Sequence, residues 1–285
     1  MVSNCAVTKA VFPPSDLQVS QPALGFSVDA LLPKARGGGQ LRMGLVRLNE
    51  GEWLQAEPDH ALRQSAFADW PEGIQLTPEA EAPGRELAAM IGAPGALPEA
   101  AAVAHEDMCL LIKSDGEDVY RLIGAAVAWP SDWKPKDKIG LPLRALHAPI
   151  AGYEEQLASG VDRFMETLKP GAIYGRCNWF VAATGERRWI EARAPHDAFA
   201  HVTPANAGDT LFVRSERQTL RRLPQTGAIL FTIGIYVEPL GLLSAENIAM
   251  LAHATQNLVA GEGDRRGAPA YADALAGYAA QRNAS

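Results

Sequence analysis

Long apolar runs are missing from this chain, and none approaches the roughly 18–20 residues that a bilayer-spanning helix needs. A secretory leader is not expected either, because the N-terminus MVSNCAVTKAVFPPSD shows no charged segment followed by an apolar one. Cysteine is scarce: Cys5, Cys109 and Cys177 are odd in number and far apart. That spacing suits neither a disulfide framework nor a thiolate metal site and fits a reducing, cytoplasmic compartment. Excess positive charge is also lacking. The formal net charge is −7, with no basic patch interleaved with aromatics, which argues against nucleic acid and anionic membrane as partners. The sequence contains no G-x-x-x-x-G-K-[ST] loop, no G-x-G-x-x-G after a strand, no G-x-S-x-G elbow, no H-E-x-x-H and no C-x-x-C. Nucleotide hydrolysis, dinucleotide-dependent dehydrogenation, zinc proteolysis, C-x-x-C-H haem attachment and the usual iron–sulfur ligation are thereby disfavoured.

What is present reads as one α+β core. Residues 1–40 hold Pro13, Pro14, Pro22, Pro33 and the run Gly37–Gly39, and are expected to form a loose lead. Strands are expected at 41–48, 108–113, 119–129, 172–182, 187–193, 210–216 and 228–237, the second and third joined by a turn at Ser114-Asp115-Gly116. Helices are expected at 58–68, 85–91, 98–104, 153–168, 244–259 and 270–281; Leu157, Val161, Phe164 and Leu168 share one helical face. Arg217–Leu223 reads as one or two further helical turns. Hairpin-joined strands set apart from helices predict an antiparallel sheet, with the core at 41–260 and a C-terminal helical extension at 261–285. Cys109 and Cys177, inside apolar runs, read as core thiols, and Trp129 and Trp133 as packing residues around a turn.

Polar residues set into apolar surroundings are the candidates for chemistry. His147 lies in a turn bracketed by Pro142 and Pro149. Arg176, Asn178 and Trp179 fall inside a strand. Arg214, Glu216, Arg217, Gln218, Arg221 and Arg222 crowd into nine residues. Arginine forks suit carboxylates because they bind them bidentately; a salt-bridged surface turn is the plainer alternative.

Several of these segments resemble the alpha-subunit-like family of haem-dependent oxidative N-demethylases. The resemblance runs through Met43–Leu45, Trp53-Leu54, Glu106–Leu111, Trp129-Pro130-Ser131-Asp132-Trp133 and Lys138–Leu143. It continues through Leu146-His147-Ala148-Pro149-Ile150-Ala151-Gly152-Tyr153, Val161–Phe164, Arg176–Trp179 and, most densely, Arg214-Ser215-Glu216-Arg217-Gln218-Thr219-Leu220-Arg221-Arg222-Leu223-Pro224. Ala151 departs from the family pattern, which has a proline there.

The resemblance implies a PAS-like antiparallel sheet flanked by helices, enclosing a pocket for haem b. It implies a monooxygenase-type oxidation of a small secondary amine to a primary amine and formaldehyde. Electrons would come from NADPH through partner flavin and iron–sulfur proteins, and a folate-binding partner would take the formaldehyde. His147 is then expected as the axial iron ligand, a turn-capping structural histidine being the alternative. His60, His105, His196, His201 and His253 are expected to be solvated or partly buried. Arg176, Asn178, Trp179, Arg214 and Arg221 are expected to bind the cofactor, and Tyr153 to donate a hydrogen bond near it. Glu216 and Arg217 are expected in catalysis, Glu216 as counter-charge to the substrate ammonium; an internal Arg–Glu pair is the alternative. A non-catalytic PAS-like haem protein sensing gas or redox state is the competing function, since fold does not fix function; an interaction module that has lost haem ranks below it.

Overall fold

A computed structural model of the chain describes residues 27–32, 42–114, 116–258 and 261–284. Cys5, the glycine run and most of the expected lead lie outside the described residues, as does Asp115 of the expected turn. The described part of that lead is the single helical turn α1 (Val28–Leu31), which begins at Ser27, whose side chain accepts from Ala30 N. Val28, Leu31 and Leu32 are fully buried.

Seven strands form one sheet: β1 (Val46–Leu48), β2 (Ile74–Leu76), β3 (Asp107–Ile112), β4 (Arg121–Ala126), β5 (Ile173–Ala182), β6 (Phe212–Arg222) and β7 (Ile229–Pro239). They are ordered β1-β5-β6-β7-β3-β4-β2, and every pairing is antiparallel. The longest ladders join β5 to β6, from Ile173↔Arg221 to Ala182↔Phe212, and β6 to β7, from Phe212↔Pro239 to Arg222↔Ile229.

The helices are α2 (His60–Asp69), α3 (Glu81–Ile91), α4 (Leu97–Val103), α5 (Leu143–His147), α6 (Ser159–Thr167), the short α7 (Pro195–Ala198) and α8 (Ala207–Thr210), α9 (Ala245–Gln256), α10 (Glu262–Arg265) and α11 (Ala272–Asn283). Local chemistry sets several of their ends. Asp59 and Ser244 cap α2 and α9 by accepting from Leu62 N and Asn247 N, and Gly92 closes α3 at φ 74°. One π-helical turn, Glu154–Ala158, precedes α6. No helix among the described residues is long and apolar enough to cross a membrane.

Two sequence expectations are corrected. Arg217–Leu223 is not helical: β6 continues to Arg222, and each of its residues pairs with β7. The stretch 187–193 is not a strand. It belongs to the excursion between β5 and β6 and touches the sheet region through one bridge, Ser131↔Trp189. Two of its arginines turn inward, Arg187 over the Trp129 ring at 4.4 Å and Arg188 onto the carbonyls of Ala128 and Ala66, while Arg193 stays exposed.

The two sheet faces are covered unequally. Strand alternation puts Val213, Ser215, Arg217, Thr219 and Arg221 on one face of β6, and Arg214, Glu216, Gln218, Leu220 and Arg222 on the other. The back face, with Val213, Trp179, Val181 and Leu230, is closed by α2–α4 on one half and by α1, α9 and α11 on the other. On the front face α5 and α6 cover the end bearing Leu220, Ile229 and Leu111. The loop through Trp133 and Ile139 covers Cys109, Leu122 and Ala125. Beside them a strip of β5, with Arg176, Asn178 and Phe180, stays half-exposed.

A half-covered cationic face as candidate functional site

Register assembles the floor of the front face. Arg176 pairs with Gln218 and Asn178 with Glu216, so these four side chains form a two-by-two block across β5 and β6. Gln218 donates to Glu216 through Nε2···Oε2 at 2.8 Å. The neighbouring front-face positions on β7, Phe231, Ile233 and Ile235, are apolar. Glu216 is nearly fully buried, at 5% exposure. Among the described residues Arg176 has no hydrogen-bond or ion-pair partner, and burial lowers its pKa despite attraction to Glu216. An unpaired, desolvated guanidinium is costly for a fold to hold.

One wall is the end of α5. Leu146 packs against Phe231, and His147 follows it. His147 Nδ1 lies 2.9 Å from Leu143 O. A carbonyl can only accept, so Nδ1 carries the proton and Nε2 keeps its lone pair. Burial, then the charges of Lys138 and Arg176, outweigh that hydrogen bond and lower the His147 pKa from the usual 6.5, so the ring is neutral at neutral pH. Tyr153 stacks on the imidazole at 4.4 Å with planes 9° apart. Its hydroxyl is buried without a hydrogen-bond partner, and burial pushes it up to about 12. Lys138 Nζ donates to Leu146 O at 2.9 Å and sits 5.6 Å over the Trp133 ring.

The opposite wall comes from the C-terminal segment. Among the described residues β1 pairs with Ile173–Gly175 only, and no strand pairs with the upper edge of β5. Arg266 occupies that edge, donating to Trp179 O and lying 4.7 Å over the Phe180 ring; Arg265 lies 5.9 Å from the same ring. Both arginines pair with Glu262. Above β6 the roof is two loops stitched together by Asp132 N to Trp189 O and Trp189 N to Pro130 O. Asp132 takes the left-handed conformation there, at φ 58°.

The residues singled out from the sequence do not converge as one set. Arg176, Asn178, Glu216 and His147 border the front face. Trp179 points to the back face, buried in the cluster with α1, α9 and α11. Glu216 and Arg217, adjacent in sequence, are separated by the sheet itself. Arg217 donates to the carbonyls of Trp53 and Glu52 and lies 3.6 Å from Glu106. Arg221 pairs with Glu50 over the Trp53 ring. Arg214, 1% exposed, donates to the carbonyls of Trp129, Pro130, Glu186 and Arg187 and to Ser131 Oγ. The dense arginine segment thus lies in a buried strand, not a surface turn, and these three arginines are occupied by protein partners. Tyr153 meets the site through its ring.

Sequence reasoning assigned no role to Lys138, Phe180, Arg265 or Arg266. Lys138 carried a signal, standing in a resembling segment nine residues before His147; the other three are joined to the site only by folding.

Sheet topology and site together define an antiparallel α+β protein whose front sheet face, half-covered among the described residues, carries a neutral histidine among cations. The family described as haem-dependent oxidative N-demethylase, alpha subunit-like, matches residues 93–276, well over half of the chain, and the chain belongs to that family.

Proposed function

We propose that the chain is the haem-binding subunit of an oxidative N-demethylase, with haem b held on the half-covered front face in a PAS-like arrangement. The observation that carries this reading is His147: neutral, its Nδ1 committed to a backbone carbonyl, its Nε2 unengaged among the described residues. That is the state an axial ligand must adopt, since the second ring nitrogen of a metal-bound histidine is characteristically tied to a carbonyl or carboxylate. The family description names the same cofactor. Among the described residues no three His, Cys, Asp or Glu side chains gather as a metal site, so iron here would take its remaining ligands from the macrocycle.

The fit extends beyond the ligand. Phe180, Leu146 and Phe231 offer apolar surface, and Arg176 offers an unpaired cation for a propionate. When bound, haem supplies the oxidation; one secondary N-methyl amine, O2, two electrons and two protons give a primary amine, formaldehyde and water. The protein's part is to hold His147 neutral and oriented, to limit water through the Trp133 and Trp189 loops, and to present Glu216 as counter-charge to a protonated amine. Gln218, hydrogen-bonded to Glu216, orients that carboxylate. The absence of a nucleotide loop from the sequence assigns electron supply to partners: NADPH acting through flavin and iron–sulfur proteins, with a folate-binding partner taking the formaldehyde. A cytoplasmic setting completes the reading.

The test is the optical spectrum of full-length protein produced with haem precursor, beside His147→Ala. A Soret band in the wild type that is lost or shifted in the variant supports the assignment; identical spectra move the ligand to another residue, and no Soret band in either removes the haem reading. With haem established, Glu216→Gln is expected to weaken amine binding about tenfold or more, as loss of a charged partner does. Unchanged binding removes that role. A non-catalytic haem sensor would bind haem and diatomic ligands without consuming amine.

A further inference from the structure

Two basic side chains beside His147 are partly desolvated and form no ion pair among the described residues. Arg176 stands in mid-strand on β5 with no hydrogen-bond or ion-pair partner among the described residues. Lys138 donates to the Leu146 carbonyl, one residue from His147, lies over the Trp133 ring and has no ion pair among the described residues. Burial lowers its pKa.

The acids nearby are spoken for or point outward. Glu216 attracts Arg176 without forming an ion pair and accepts from Gln218, Glu262 is shared by Arg265 and Arg266, and Asp137 is exposed and makes no ion pair among the described residues. Elsewhere buried arginines are met on several sides: Arg63 by Asp107 at 3.1 Å and three carbonyls, Arg214 by four carbonyls and Ser131 Oγ. The desolvation cost of a charge is recovered when an opposite charge or a full set of hydrogen bonds meets it, and Arg176 and Lys138 have neither. Two unrecovered cations flanking one imidazole therefore indicate a ligand that brings two anionic groups.

Resting on the haem reading above, we propose that Lys138 and Arg176 form a two-cation cradle that takes the two carboxylates of a single dianionic tetrapyrrole, one each. This assigns carboxylate recognition to residues on either side of His147. The arginines of the Arg214–Arg222 segment, already bonded to carbonyls and to Glu50, are left out of it. Lys138 acquires two tasks: it braces the end of α5 through Leu146 O and neutralises one carboxylate. Arg176, whose planar fork matches a carboxylate bidentately, neutralises the other.

The test separates the cradle from the haem reading. Full-length apo-protein is titrated with hemin and with hemin dimethyl ester, which keeps iron and ring but lacks both negative charges. Soret absorbance reports the dissociation constants, and circular dichroism verifies folding. Wild type is expected to prefer the diacid about 100-fold. Lys138→Met and Arg176→Met should each cut that preference about tenfold, the effect of losing one charged hydrogen bond, and the double variant should abolish it. Lys138→Arg and Arg176→Lys, which keep the charge, should retain most of it, so a loss caused by misfolding is recognised. Equal affinity of wild type for acid and ester, or full preference in the folded double variant, overturns the cradle while leaving His147 ligation standing. Absence of hemin binding to wild type overturns the haem reading and the cradle with it.

Discussion

The two faces of the central sheet share strands but treat charge in opposite ways. On the back, the buried arginines of β6 meet opposite charges: Arg217 lies 3.6 Å from Glu106, and Arg221 pairs with Glu50. Helices close this face from end to end. On the front, Arg176 is unpaired among the described residues, Lys138 has only a carbonyl, and His147 keeps a free nitrogen. The difference separates charges that hold the fold together from charges the fold tolerates. Paired groups hold chain segments in place, as Arg217 does by donating to the carbonyls of Trp53 and Glu52 beside Glu106. Unpaired groups lower stability until a ligand arrives, and the recovered energy then appears as affinity.

The contrast is most severely tested on the paired side. Arg63, fully buried, bonds the carbonyls of Ala101, His105 and Glu106 as well as Asp107. Arg63→Met is expected to destabilise by about 3–5 kcal/mol in urea unfolding, because Asp107 is left charged and buried. A loss below about 1 kcal/mol would break the comparison. Next in size is ligand stabilisation. Hemin at a thousandfold excess over its dissociation constant should stabilise the wild type by about 4 kcal/mol. His147→Ala should lose most of that gain in a thermal melt while matching the wild type in the apo state.

On the unpaired side the sign reverses. Arg176→Met should leave the apo-protein as stable as wild type or more so by about 1–2 kcal/mol, since an uncompensated charge is replaced by apolar volume; a clear loss would mean that Arg176 holds the fold. The smallest effect concerns acid. Burial alone would raise the Glu57 pKa, but the hydrogen bond from His105 and the charges of Arg187 and His105 lower it below the ordinary 4.5. A depressed carboxylate contributes stability that is present above pH 4.5 and lost as pH falls through its folded-state value. Glu57→Gln should flatten the acid limb of a stability–pH curve by on the order of 1 kcal/mol.

Some elements could be read from the sequence. The β-branched run of β7 and the amphipathic stretch before Pro170 follow from side-chain periodicity, and the strand at Ile173–Ala182 stands close to its expected limits. The far half of β6 was misread for a physical reason: Arg, Gln and Leu favour helices locally, and only eleven paired positions with β7 hold them extended. The stretch 187–193 erred the other way: Trp189 and Ile190 favour strands locally, but the segment gains no partner strand among the described residues. Arg187 and Arg188 are instead drawn inward by Trp129, Ala128 and Ala66.

By itself the sequence determined the α+β class, the likeness to the haem-dependent family and the bracketing of His147 by Pro142 and Pro149, because composition, local periodicity and motif order are properties of the chain alone. Tertiary structure decided which polar residues share a site. Glu216 and Arg217 are neighbours in the chain and strangers in space, whereas Arg176 and Gln218, forty-two positions apart, meet directly. Strand alternation sends adjacent side chains to opposite faces, and only long-range register says which strand supplies the partner.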